Sequence, residues 1–137
     1  MAKDFFHELI RKLLVKDGWT ITDDPLTIKG LTRKIYIDLA AEKIIAAERG
    51  ETKIAVEVKS FLSPSRLSDF YEAIGKYSIY WDALKENEPV RLLFLALPVS
   101  AYEELLTEPF VQHTVQRLSI QMLVFNPETK KIEKWEI

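Results

Sequence analysis

The stretch KIAVEVKSF, which runs from Lys53 to Phe61, has the alternating pattern of a β-strand. One set of alternate positions is apolar and β-branched: Ile54, Val56 and Val58. The other set includes Glu57 and Lys59, two positions apart, so both charged side chains point to the same face of the strand. The strand is otherwise apolar enough to be central. Because burying a charge is costly unless the charge is paired or bound to a metal, this pair requires an explanation.

Two interpretations of the pair are open. Glu57 and Lys59 could form an ion pair with each other or with neighbours at a sheet edge, and Glu-x-Lys alone is a very common tripeptide. Alternatively, they belong to a functional site. The upstream stretch KIYIDLAAEK favours the site, because Asp38 is a second acid in the strand that is expected to pair with the strand of Glu57.

Two carboxylates and a lysine in this arrangement make chemical sense together. Carboxylates that meet at one point repel each other, and a divalent cation with oxygen ligands relieves the repulsion. Mg²⁺ held by Asp38 and Glu57 would suit phosphoryl chemistry. Lys59 would then orient the attacking water or stabilise negative charge in the transition state.

Geometry sets a condition on this site. A turn at Gly50 places Glu57 opposite roughly residue 43. Asp38 then lies about 16 Å further along a straight strand, at ~3.3 Å per residue. The alternation breaks at LAAEKIIAA, so we expect a bend or bulge near Ala40–Glu42 that brings Asp38 to Glu57. Glu42, inside this break, is a rival carboxylate.

Composition bounds the class of protein. The chain has 137 residues and no cysteine, which predicts a single domain over residues 1–137 and excludes disulfides and thiolate metal sites. The N-terminus lacks the apolar core of a signal peptide, and the longest apolar run, Leu92 to Val99, is too short to span a bilayer. We therefore expect a soluble, cytoplasmic protein with no membrane contact. The net charge of −2 requires any nucleic-acid binding to depend on a local basic patch.

The hydrophobic pattern predicts an α/β fold. Helices are expected at 4–16, at about 65–85 and, with an interruption at Pro109, at 100–117; strands are expected at WTITD, 33–48, 52–60, 91–97, SIQMLVFN and KIEKWEI. The strand–helix–strand unit from 52 to 97 should be a right-handed parallel crossover, and the last two strands a hairpin. The order predicts a mixed central β-sheet flanked by helices, in a three-layer sandwich.

Other side chains have both a functional and a structural interpretation. The residues that could form the basic patch, or else be scattered solvated cations, are Lys29, Arg33, Lys34, Arg66 and Lys76. Tyr77, Tyr80 and Trp81 could stack on bases, although Tyr77 and Trp81 fit the buried stripe of their helix better. His7 and His113 have no partner at ligand spacing, and we expect surface or packing roles for them.

Longer segments of the sequence carry a family resemblance. The pattern of Asp38 followed by Glu57-Val58-Lys59 resembles the PD-(D/E)XK nuclease superfamily. The segments KDGWTITDDPLTIK, IYIDLAAEKIIAAERG, KIAVEVKSFLSPSRLSDFYEAIGKY and FVQHTVQRL are similar to the XisH family, the fdxN element excision controlling factors of cyanobacteria. This resemblance covers nearly the whole chain, and its long segments are far more specific than the Asp…Glu-x-Lys pattern.

The resemblance implies a restriction-endonuclease-like fold and a role in controlling excision of a DNA element during heterocyst differentiation, with the companion protein XisI. It implies that Asp38, Glu57 and the backbone carbonyl of Val58 bind Mg²⁺ or Mn²⁺, and that Lys59 is the catalytic lysine. Glu8 stands where many superfamily members carry a further acidic ligand, but its helical position favours solvent. Two departures are Ile37 in place of the motif's proline and Lys76 where relatives tend to carry glutamine.

The resulting hypothesis is a metal-dependent endonuclease that cuts double-stranded DNA in programmed excision. The alternatives are a non-catalytic control factor that uses the nuclease fold to bind DNA or XisI, and a complex subunit with only structural duties. An intact set of Asp38, Glu57 and Lys59 favours the endonuclease, because a degenerate nuclease would be free to lose it. We also expect a homo-oligomer, most simply a twofold dimer, since a duplex presents two strands to cut.

Overall fold

The computed structural model describes residues 2–27 and 44–137 as a six-stranded mixed sheet flanked by helices. The helices are α1 (Ala2–Lys16), α2 (Arg66–Asn87), α3 (Val99–Leu105) and α4 (Pro109–Arg117). The strands are β1 (Thr20–Asp23), β2 (Ile44–Arg49), β3 (Thr52–Val58), β4 (Leu92–Pro98), β5 (Met122–Asn126) and β6 (Lys131–Glu136). The expected three-layer α/β sandwich with a mixed sheet is confirmed.

The strands follow one another across the sheet in the order β1-β2-β3-β4-β5-β6. β3 is antiparallel to β2 and parallel to β4, and β5 and β6 form an antiparallel pair. The predicted parallel crossover between β3 and β4 through α2, and the C-terminal hairpin, are therefore confirmed. Of the strand expected at 33–48, the described part is β2; residues 33–43 lie outside the described residues.

Each face of the central strands packs against a different helix layer. Ala55, Leu93 and Leu95 belong to the core under α2, whereas Ile54, Val56 and Phe94 belong to the core under α1. The alternation of β3 thus separates two cores, with Val58 packed at the α1 side. The apolar run of β4 is explained by the burial of both its faces.

Helix α2 begins after Ser65, whose hydroxyl accepts a hydrogen bond from the Ser68 N–H at 3.1 Å and so caps the helix. The three- and four-residue spacing of apolar side chains predicts a buried stripe on this helix made of Leu67, Phe70, Tyr71, Ile74, Tyr77, Trp81 and Leu84. This prediction is partly wrong. Phe70, Tyr77 and Leu84 are buried as expected, and Ala73 and Tyr80 are buried with them, but Tyr71 and Trp81 are exposed. The buried face is centred further toward Ala73 and Tyr80 than the large apolar residues suggested, which leaves Tyr71 and Trp81 beyond its margin.

Pro109 divides the last helical segment of the chain. The helical segment at 100–117 is divided into α3 and α4, and Pro109 begins α4 at a first-turn position where its missing N–H costs nothing. No helix within residues 2–27 and 44–137 is long and apolar enough to cross a membrane.

Tyr77 connects α2 to the sheet through its hydroxyl group. The hydroxyl donates to the Leu93 carbonyl at 3.0 Å and accepts from the Gln121 N–H at 3.1 Å, so it joins β4 to the segment before β5. Burial raises the pKa of Tyr77, with a smaller contribution from the negative charge of Glu57. The ring therefore serves as a packed, hydrogen-bonded core element rather than as a stacking platform for bases.

The substitution Tyr77→Phe should lower the free energy of unfolding by about 1–3 kcal/mol, because it leaves the Leu93 carbonyl and the partly buried Gln121 N–H without their partner. Urea denaturation measures this. Tyr71→Phe on the exposed side of the same helix is the matched control and should leave stability unchanged. Equal midpoints for the two variants would contradict the role assigned to the hydroxyl.

Candidate functional site

The central strand β3 carries Glu57 into the protein interior. Glu57 lies between Ile44 of β2 and Leu95 of β4, and only 1% of its surface is exposed. It shares a strand face with Ala55, which packs in the core under α2. The sheet-edge interpretation of the charged pair is therefore wrong, because β3 has a neighbouring strand on each side.

Lys59 follows directly after β3, and its backbone remains part of the sheet. Its N–H donates to the Ala96 carbonyl at 2.9 Å, which continues the ladder with β4. Lys59 is 7% exposed, and its ammonium lies 3.1 Å from Oε1 of Glu72 and 4.0 Å from Oδ1 of Asp69. Both acids belong to the first two turns of α2. The lysine is thus held between the sheet and the crossover helix by two carboxylates.

The two carboxylates differ in their own support. The side chain of Asp69 is 10% exposed and accepts a hydrogen bond from the Ser63 N–H at 3.2 Å. The side chain of Glu72 is 48% exposed, and its Oε1 also accepts from the ammonium of Lys76 at 3.1 Å. Asp69 is therefore fixed in the interior, whereas Glu72 reaches the site from the surface.

Two lysines determine the ionisation of Glu72. Its hydrogen bond with Lys76, followed by that with Lys59, lowers the pKa of Glu72 from the ordinary value of 4.5, against a smaller opposing effect of burial. A carboxylate that loses its proton more readily in the folded state stabilises the fold above pH ~4.5. That contribution is lost as the pH falls through the lowered pKa.

Sequence reasoning missed Asp69 and Glu72. Their signal is their spacing: positions 69, 72 and 76 recur at the three- and four-residue intervals of one helix face, on the helix that follows Lys59. In the sequence alone, the cations of that helix are candidates for a DNA-binding patch, and its acids have no evident partner.

Several of the predicted site residues lie outside the described residues. These are Asp38, the rival carboxylate Glu42 with the expected bend at 40–42, and Lys29, Arg33 and Lys34. Within residues 2–27 and 44–137, no three acidic, histidine or cysteine side chains come together as a metal-binding group. The described part thus contributes Glu57, with the nearby carbonyl of Val58, as the candidate ligands on β3.

The other predicted residues of the described part have individual positions. Glu8 is exposed, as its helical position indicated. Arg66 pairs with Glu104 at 3.2 Å, and Lys76 pairs with Glu72, so both cations have acidic neighbours in the folded chain. His7 is buried and lies 2.7 Å from a carboxylate oxygen of Asp24, which gives it a packing and hydrogen-bonding role.

A family model and two solved structures match this chain, and they indicate the same protein family. The model of the XisH protein family matches residues 1–133. The crystal structure of an XisH family protein from Nostoc punctiforme PCC 73102 is 38% identical, with a TM-score of 0.86 over 97% of this chain and 99% of that chain. The crystal structure of an fdxN element excision controlling factor protein from Anabaena variabilis is 42% identical. Its TM-score is 0.86, and the match covers 98% of this chain and 99% of that chain. No curated protein gave a significant match.

The ionisation of Glu72 provides a direct test of the lysine arrangement. Replacing Lys76 with methionine should raise the pKa of Glu72 toward 4.5, because the largest cause of its lowering is removed. An NMR titration of the side-chain carboxyl carbon measures this pKa. Lys85→Met, near the end of the same helix, is the control and should leave it unchanged. An unaltered titration in the Lys76 variant would show that the two side chains do not interact in solution.

Proposed function

Because the chain belongs to the XisH family, we propose that it controls excision of an fdxN-type DNA element as a metal-dependent endonuclease of the PD-(D/E)XK type. The observation that carries the proposal is the burial of Glu57 and Lys59 on one face of a central strand. A protein gains little stability from such groups, since their desolvation costs about as much as their pairing returns. A chemical task explains their presence better than stability does.

In this proposal, Asp38, Glu57 and the carbonyl of Val58 hold one Mg²⁺ or Mn²⁺ ion. These are hard oxygen donors, which is the ligand type that both ions prefer. The ion would polarise the scissile phosphate and lower the pKa of a bound water. Glu57 supplies one ligand position on a strand that both neighbouring strands keep rigid. Asp38 is proposed to supply the second from the segment before β2.

Lys59 is proposed to stabilise the negative charge that develops on the phosphate. Its backbone is fixed by the hydrogen bond to Ala96, and its ammonium is restricted by Asp69, so the side chain is positioned before substrate arrives. A preorganised cation in a site that excludes water is worth more than the same cation in solution. Asp69 and Glu72 lie beside this ammonium as carboxylate partners.

Duplex DNA would be held by a local basic surface, since the net charge of −2 gives no general attraction. The proposed contacts are Lys29, Arg33, Lys34, Arg66 and Lys76. Arg66 and Lys76 have carboxylate partners in the free protein, so each would exchange an ion pair with an acid for one with a phosphate.

A control factor that does not cut DNA is the second candidate. It is favoured by the pairing of Lys59 with Asp69 and Glu72. Through this pairing, the proposed catalytic lysine already has carboxylate partners before any DNA binds. In that case the nuclease fold would serve to bind DNA or XisI. Failure to cleave any duplex with Mg²⁺, Mn²⁺ and XisI all present would favour this candidate.

The proposed setting is cytoplasmic, with XisI as companion protein and a twofold homodimer as the simplest assembly, because two copies can reach both strands of a duplex. Light scattering at micromolar concentration should then give twice the monomer mass. A monomer mass with and without XisI and DNA would remove the dimer from the proposal.

Site variants separate the roles of the three residues. With Mg²⁺ or Mn²⁺ and a duplex substrate, Asp38→Asn and Glu57→Gln should each abolish most phosphodiester hydrolysis by weakening the metal site, while folding is retained or improved. Lys59→Ala should bind metal normally but cleave at least about 10²-fold more slowly. A rate loss of this size is typical when one donor to a developing oxyanion is removed.

Glu51→Gln, in the turn between β2 and β3, removes an exposed carboxylate and is the control for the change in charge. It should cleave like the unmodified protein. Thermal unfolding of each variant separates a chemical loss from a folding defect. A Lys59→Ala protein that is folded and cleaves at the unmodified rate would exclude the proposed role of the lysine.

A further inference from the structure

One carboxylate oxygen lies between two ammonium groups in the site. Oε1 of Glu72 is 3.1 Å from Nζ of Lys59 and 3.1 Å from Nζ of Lys76. The lysines come from different parts of the fold, Lys59 from the residue directly after β3 and Lys76 from the middle of α2. Two cations that converge on a single oxygen are a geometry suited to a phosphate oxygen as well as to a carboxylate.

The support of the two acids beside Lys59 indicates which one can leave. Asp69 is buried and is tethered by the Ser63 N–H, so it remains as a permanent counterion. Glu72 has a side chain that is 48% exposed and is held by the two lysines. Rotation of its side chain would take it into water, where a carboxylate is well solvated.

We propose that Lys59 and Lys76 form a binding site for a backbone phosphate of DNA, which Glu72 occupies in the free protein and vacates when DNA binds. This inference rests on the proposed function and adds to it an internal competitor for the substrate. It also assigns a function to Lys76, the second lysine that contacts Glu72.

The exchange replaces one anion with another beside the same two lysines. An ionised Glu72 carries one negative charge, and so does a phosphodiester. The phosphate therefore restores the charge that is lost from the lysine pair when Glu72 leaves, whatever the charge of the neighbouring acids Asp69 and Glu57.

The competitor should reduce the affinity for DNA, and its removal should increase it. Glu72→Gln keeps the size of the side chain but removes the anion, and should bind a short duplex about three- to tenfold more tightly, as two partly exposed ion pairs are lost from the free state. Fluorescence anisotropy in EDTA measures binding without cleavage. Glu86→Gln, on the exposed side of the same helix and about 21 Å away along it, makes the same change in net charge and is the control.

Two further measurements make the test decisive. Adding Lys76→Met to Glu72→Gln should abolish the gain, because one of the two cations is then missing. In the unmodified protein, saturation with duplex should raise the pKa of Glu72 toward 4.5, since both lysines leave it. The inference is overturned by equal affinities of the Glu72 and Glu86 variants, by a gain that survives the loss of Lys76, or by an unchanged Glu72 pKa in the complex.

The affinity measurements are independent of the nuclease chemistry, because they are made without metal. A gain in affinity in a protein that does not cleave would support the phosphate site and reject the endonuclease. Cleavage without a gain in affinity would support the endonuclease and reject the phosphate site.

Discussion

Burial of a carboxylate and an ammonium on one face of the central strand is the constraint on which the rest of the site depends. Neither Glu57 nor Lys59 can enter the interior uncompensated, because the loss of hydration of a single ion costs several kcal/mol in a folded protein. The first turns of the crossover helix therefore carry Asp69 and Glu72 toward Lys59. The capped start of α2 at Ser65 and the N–H of Ser63 then hold Asp69 in place.

This arrangement makes α2 more than a connection between two parallel strands. Its buried face closes one core of the protein, with Tyr77 bonded to β4. Its N-terminal half provides the two acids beside Lys59, and Lys76 pairs with the more exposed of them, Glu72. The helix thereby couples the packing of the sheet to the electrostatics of the site. Lys76, which pairs with Glu72, and the buried Tyr77 are neighbours in the chain, so the two roles of the helix meet at this point.

The sequence was sufficient for the turn between β2 and β3, the parallel pairing of β3 with β4 and the C-terminal hairpin, because β3 alternates, β4 is apolar on both faces and the turns have clear residues. It was insufficient for the rotation of α2. Apolar positions at 71 and 81 satisfied the helical period equally well, and only packing against the sheet decides that Trp81 is exposed and Tyr80 is buried. Asp69 and Glu72 escaped notice for a related reason: acids on a helix are usually solvated, and their partner is distant in sequence. Of the proposed metal ligands, Asp38 lies outside the described residues, so its approach to Glu57 stays a prediction.

The central claim is that Glu57 is a metal ligand, and anomalous scattering from crystals soaked in Mn²⁺ tests it most directly. We expect one anomalous peak beside the Glu57 carboxylate, with a carboxylate oxygen of Asp38 in the same coordination shell, and no such peak in crystals of Glu57→Gln. Saturating Mn²⁺ that leaves Glu57 without a bound ion, or that binds only at surface carboxylates, would contradict the claim.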